Sequence, residues 1–308
     1  MSALLIASIP PLLFAVVNHF DKYLVQRFFK GASVGALLIF SALIGIFIAL
    51  PVALLNPESF TIPGSDMILI TGNGFLYLLA SLPYFYALAK DEASVVVPLF
   101  QMVPFFILLF AFVLLGESIS RNNFIGGVLI VLGAVLISLE LSHKKIRLKN
   151  NILWLMALSS ALFALNFVVF KNFAVEHAFW VTTFWEYVGF VAFGVVMLLF
   201  VPHYRRQFFA VFKLNKTKVL AINGANEIIA VAAKSSFNFA TLLMPVAVAS
   251  FVSGLQPFFV FAIGTVLTLF FPKISTERID ARHMVQKIAA IVIMIFGLWV
   301  LNSANELV

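Results

Sequence analysis

Ten blocks of apolar residues follow one another along the chain and leave little sequence between them. Each block is about 20 residues long, which is the length a helix needs to cross roughly 30 Å of hydrocarbon. In lipid the backbone has no water to bond, so only helices and closed barrels can span it. The strict in–out alternation of barrel strands is absent from these blocks. The expected class is therefore an all-α integral membrane protein. Charged residues are 11% of the chain and apolar residues 63%, whereas a soluble domain carries about 25% charge. The spans read as 3–25, 33–55, 66–89, 93–115, 122–140, 151–173, 179–201, 217–242, 245–271 and 284–303. The longest polar connection runs from about Pro202 to Lys218.

A basic knot from His143 to Asn150, with Lys144, Lys145, Arg147 and Lys149, divides the spans five and five. The division predicts a first repeat over 1–142, a linking loop at 143–150 and a second repeat over 151–308. Five is odd, so the second half enters the membrane from the opposite side. Two like halves would then be related by inversion, as in many carriers.

The net charge of +7 sits at membrane borders and forms no basic face on a soluble module, so nucleic acid is not an expected partner. The odd-numbered loops hold most of the lysines and arginines, among them Arg27, Lys30, Lys90, Arg205, Arg206, Lys213, Lys273 and Arg278. Positive charge favours the cytoplasmic side, which places both termini outside. The first span is longer than a signal peptide and lacks its charged start and cleavage site. There is no cysteine, hence no disulfide and no thiolate metal site.

The halves share an order of small motifs. Asn18 and Asn166 lie in the middle of spans one and six. Thr71-Gly72-Asn73-Gly74 answers Ile222-Asn223-Gly224, and Gln101 to Phe106 answers Gln256 to Phe259. Ile119-Ser120 answers Ile274-Ser275, and late glycines at 133 and 297 close each half. Between Tyr84 and Ser138 the chain holds Ala87-Leu88, Pro104, Leu115-Gly116-Glu117, then Gly126-Gly127 and Gly133. In these features it resembles the drug/metabolite transporter superfamily, specifically its EamA-type members with ten spans. Half two departs from that pattern, reading Phe270-Phe271-Pro272-Lys273 where "LGE" is expected. The resemblance implies two inverted five-helix repeats around a central substrate cavity formed by spans including one, three, four, six, eight and nine.

The glycines also have a physical reading. Gly126, Gly127, Gly133 and Ala134 give a face of small residues where another helix approaches closely, either within the chain or in a homodimer. Gly35 and Gly45 offer the same in span two. Prolines 98, 104, 245 and 257 are placed to bend spans four and nine.

Charges at mid-membrane cost about 2.5–3.5 kcal/mol even on the lenient insertion scale. Span eight carries two, Glu227 and Lys234, seven residues apart and so on one helix face, about 10 Å apart along the axis. Asn223, Asn238 and Thr241 fall near that face. The pair can form an internal ion pair, or Glu227 can take a cationic group or proton while Lys234 takes an anionic one. Asn18, Asn166, Tyr84, Gln101 and Gln256 are the further substrate-binding candidates, with Tyr77 beside them. Glu186, between Trp185 and Tyr187, is a second proton-coupling candidate, or a structural partner for Lys171. His19, Asp21 and Lys22 read as border residues.

Among what is missing are a phosphate-binding glycine loop with its lysine, a His-Glu-x-x-His zinc site and a nucleophile elbow. The histidines make no metal-ligand spacing. No cofactor, metal or catalytic residue is expected. The expectation is a secondary carrier in the cell membrane, moving a small polar or amphipathic metabolite by alternating access, with an amino-acid-like zwitterion favoured and proton coupling open. The alternatives are a flippase for a lipid or lipid-linked substrate on the same fold and an intramembrane enzyme. Membrane lipids are the remaining partners; the chain is read as a monomer or homodimer.

Overall fold

The computed structural model describes residues 3–27, 34–90, 96–138, 150–214, 216–270 and 281–303. The knot at 143–149, the Ile274-Ser275 match, most of the Phe270–Lys273 departure and the side chains of Asp21 and Lys22 lie outside the described residues.

Each of the ten expected stretches carries helix, and no strand occurs among the described residues. Span one is Ala3–Ala7 and Ile9–Arg27; span two is Val34–Ile44 and Ile46–Leu55; span three is Gly64–Lys90. Span four is a 3-10 turn, Val97–Met102, followed by Val103–Leu115; span five is Arg121–Ser138. Span six is Asn150–His177, span seven Phe179–Phe200 and span eight Lys216–Leu243. Span nine is Val246–Ser253 and Gln256–Phe270, and span ten is Ala281–Ser303. By length and apolar content, seven described stretches suffice to cross a membrane. Leu99–Leu115 and Arg121–Ile137 are shorter apolar helices. Span eight falls short because Asn, Glu and Lys dilute its apolar run. Phe47, Leu54, Trp154, Phe200 and Trp299 point outward, the arrangement of a lipid-facing belt.

The prolines break the spans where expected. Pro98 and Pro104 occupy the first turns of the two pieces of span four. Pro245 caps the start of span nine, and its helix breaks at Gly254 and Leu255, just ahead of Pro257. Each proline lacks the N–H that an interior helix position must donate. Spans six and seven are joined by Ala178 alone, at φ 72° and ψ 154°, a backbone region nearly confined to glycine that costs a residue with a side chain about 1–3 kcal/mol.

Packing respects the repeat. Span three lies on span six, and span eight on span one; span four lies on six, and nine on one. Span two meets seven, four meets nine, and five meets ten. Exchanging each span with its counterpart five places on returns these same pairs, as a two-fold relation between the halves requires; the extensive contact of span three with span seven is the exception, with only a slight counterpart between spans eight and two. The five–ten seam is built on glycine. A Cβ on Gly126 would sit 2.7 Å from the Gly297 carbonyl, and one on Gly133 2.8 Å from that of Ala290. The small face of span five is thus used inside the chain.

The connection after span seven differs from the sequence reading. Pro202–Leu214 is a helix, not an open loop. Tyr204, Gln207 and Phe208 are partly buried while Arg205 and Arg206 are exposed, a spacing of three and four that gives one covered face. Tyr204 packs over Gly35, and its hydroxyl lies 2.6 Å from that of Tyr86. Burial, then that hydrogen bond, push the Tyr204 phenol up to about 12.

Candidate functional site

The buried charges collect where spans three, six, seven and eight meet. Lys234 of span eight donates to Glu186 Oε2 of span seven at 2.8 Å. Glu186 is fully buried and Lys234 is 3% exposed. Glu186 Oε1 accepts from Asn166 Nδ2 at 3.1 Å, and Asn238 Nδ2 reaches Oε2 at 3.4 Å. The ammonium also lies over ring faces: 4.6 Å from the Tyr77 centroid, and 5.5–5.8 Å from those of Phe170, Phe190 and Phe167. Ring faces carry negative potential and help hold a cation out of water.

The local sequence explains the arrangement. Lys234 and Asn238 are one turn apart on span eight, so both face the same neighbour. Glycines bring span seven close. A Cβ on Gly74 would lie 1.9 Å from the Glu186 carbonyl, and one on Gly189 2.0 Å from that of Thr71. Spans three and seven therefore touch backbone to backbone beside the carboxylate. On the other side Asn73 and Asn166 clasp each other. Asn73 Nδ2 donates to the Asn166 carbonyl at 3.1 Å, and Asn166 Nδ2 to that of Asn73 at 2.9 Å.

One feature of this network is unbalanced. The side-chain oxygens of Asn73, Asn166 and Asn238 are buried and receive no hydrogen bond. A buried polar atom left in that condition costs about 1–3 kcal/mol. The Asn166 and Asn238 oxygens belong to the same amides that hold the carboxylate, so two acceptors beside Glu186 lack a donor. An ammonium group brings three donors.

Two sequence pairings are corrected here. Glu227 and Lys234 do share one helix, but the partner of Lys234 is Glu186. Glu227 accepts from Ser41 of span two instead. Lys171 does not reach Glu186; it pairs with Glu117 and also donates to the Met244 carbonyl at 3.0 Å. Other Glu117 contacts explain the "LGE" segment. Gly116 takes the left-handed cap at φ 65°, turning the chain so that Glu117 Oε2 accepts from the Val246 N–H at 2.9 Å. Val246 opens span nine, so one carboxylate satisfies a free helix-start donor while Lys171 balances its charge. Span seven, which the resemblance does not name among the cavity spans, supplies the buried glutamate.

The remaining candidates are spread around this centre. Asn18 is partly buried in span one. His19, expected at a border, has Nε2 3.0 Å from the Val260 carbonyl of span nine. Tyr84 lies two turns beyond Tyr77, against Phe85 and Phe100. Gln101 lies near the span-nine break, where a Cβ on Gly254 would stand 3.5 Å from its Oε1. Gln256 opens the second helix of span nine and is partly buried. The histidines gave no ligand spacing, yet folding places Asp66, Glu176 and His177 with ligand atoms within 4.8 Å of one another. His177 Nε2 lies 2.7 Å from Asp66 Oδ2, tying the start of span three to the end of span six, while Glu176 is exposed.

Comparison with known proteins agrees with this architecture. Residues 1–139 match the model of the EamA-like transporter family. One solved protein crystal structure superposes with a TM-score of 0.69, at 16% identity, covering 99% of this chain and 98% of that one. That likeness extends the fold over both halves. A stretch of 65 residues is 37% identical to the uncharacterized protein MJ1333.1 of Methanocaldococcus jannaschii. The match takes in 21% of this chain and 47% of that relative, so the chain spans about half of the relative's length.

Proposed function

Building on the match of residues 1–139 to the EamA-like transporter family, we propose that the chain is a secondary carrier for a small zwitterion of the amino-acid type. The halves, 1–142 and 151–308, rock against each other about the site between them. One observation carries the substrate class: a buried Glu186–Lys234 pair held by two asparagine amides whose own oxygens lack donors. Neither charge can be left alone at that depth. A zwitterion resolves the difficulty because it can enter only by exchange. Its ammonium takes the place of Lys234 at Glu186 and supplies the orphaned oxygens. Its carboxylate then engages the released Lys234. Every charge stays paired before, during and after loading. A lone amine or a lone acid would strand one buried charge.

Tyr77 and Phe190, stacked with centroids 5.2 Å apart, form an apolar wall beside the pair for the substrate side chain. Glu227, with Ser41, is the proton-coupling candidate on the same span; Glu186 is the alternative. Gln101, Gln256, Tyr84 and Asn18 border the route between the halves. The protein would work in the cell membrane, moving solute down a gradient or against one with protons.

The test is uptake into proteoliposomes from a panel of amino acids, their decarboxylated amines and their deaminated acids. Zwitterions should be carried and both truncated series should fail. Amines or acids carried as fast as the zwitterions would refute the exchange.

A further inference from the structure

The repeat is symmetric in its helices and asymmetric in two neighbouring contacts. In half one, Asn73 of span three clasps Asn166 of span six through two reciprocal hydrogen bonds. The sequence supplies the same two residues a second time. Asn223-Gly224 of span eight answers Asn73-Gly74, and Asn18 of span one answers Asn166. Spans eight and one pack together just as three and six do. Yet Asn223 is fully buried and neither its amide nitrogen nor its oxygen has a hydrogen-bond partner. The second clasp is absent.

The neighbouring glycines differ in the same way. A Cβ on Gly74 would strike the span-seven backbone, whereas one on Gly224 would meet nothing within 4 Å. Span three meets span seven along much of its length, while the equivalent pair, spans eight and two, meets at few residues. Asn73 lies about 14 Å along span three from its start, and Asn223 about 10 Å along span eight. Those starts are on opposite membrane faces, since five spans intervene. One face is thus shut at Asn73–Asn166 and Gly74–Gly189; the other is unlatched at Asn223–Gly224.

We propose that Asn18 and Asn223 form the matching clasp in the opposite-facing state, and that the two asparagine pairs close alternately during transport. The alternation rests on the carrier reading above. In each state one pair carries the seam and the other holds its polar atoms unsatisfied. The two states are then built from like gains and like losses, which keeps them near balance, as a reversible carrier needs. The amide of Asn223 is kept in the apolar span by the state in which it is bonded.

The chain has no cysteine, so paired cysteines report contact without background. Both clasps join one half to the other, and a protease site placed in the 143–150 loop of the full chain separates the halves after cross-linking unless a bridge holds them. The probe is a short bismaleimide. Asn73→Cys with Asn166→Cys should bridge efficiently, and Asn18→Cys with Asn223→Cys poorly. Adding Gly189→Leu, which wedges spans three and seven apart, should shift the ratio of bridged products about tenfold or more towards 18–223. If that variant aggregates, Gly74→Ala wedges the same seam. A ratio unmoved by the wedge, or both pairs bridging fully in the same molecules, overturns the alternating clasp. Should the ratio invert while no solute moves in proteoliposomes, the clasp stands and the carrier reading falls. Should solute move while the ratio stays fixed, the carrier reading stands and the clasp falls.

Discussion

Replacing Lys234 with methionine removes the ammonium but keeps much of the side chain's volume. Glu186 then remains fully buried, with the Asn166 and Asn238 amides as its hydrogen-bond donors among the described residues. Breaking a buried pair from one side costs about 3–5 kcal/mol, because a charge is left without compensation. Glu186→Gln makes the mirror error, leaving the ammonium among Tyr77, Phe167, Phe170 and Phe190. Removing both charges together leaves no stranded ion, and neutral replacements of buried pairs are often as stable as the original. In detergent, thermal unfolding should fall by roughly 5–15 °C in either single variant. The double variant should recover most of that loss, giving a large coupling energy in the cycle. Additive losses would refute the pairing and with it the site.

Other outcomes follow from the same geometry. Glu117→Ala removes both the Lys171 pair and the acceptor at the start of span nine; it should destabilise by about 1–2 kcal/mol more than Glu117→Gln, which keeps an acceptor, and equal unfolding temperatures would contradict the capping role. Gly126→Val pushes a side chain into the Gly297 carbonyl and should cost about 1–3 kcal/mol. Gly72→Ala, which meets nothing within 4 Å, should be neutral or stabilise by up to about 1 kcal/mol; chemical unfolding compares the two. Trp185→Phe loses the indole N–H bond to the Ser59 carbonyl, 2.7 Å long, and should cost about 1 kcal/mol while its packing against Phe60 and Phe184 persists, readable in a melt.

The spans, their proline breaks and the glycine seam were legible because each depends on residues close in sequence or on a property of one helix face. Gly126, Gly133 and Gly297 declare themselves by size alone. The charge network was only half legible. Sequence spacing ranks neighbours on one helix, so Glu227 was the visible companion of Lys234. Yet two helical turns separate them by about 10 Å, and each found a partner on another span: Ser41 for Glu227, Glu186 for Lys234. Which face of span seven points inward is fixed by the Gly74–Gly189 contact, and that is a property of two helices together. Lys171 is the same case, since Glu117 approaches it only after Gly116 turns the chain. The Pro202–Leu214 helix was hidden by its arginines, which mark the exposed face of an element whose covered face is short.

Exchange of the internal ion pair for a zwitterion is the central claim, and counterflow tests it most directly. Proteoliposomes preloaded with a carried zwitterion are diluted into the labelled solute, using the native chain and Glu186→Gln/Lys234→Met. The double variant should fold, melt near the native temperature and show no counterflow. Counterflow at the native rate by that variant would contradict the claim.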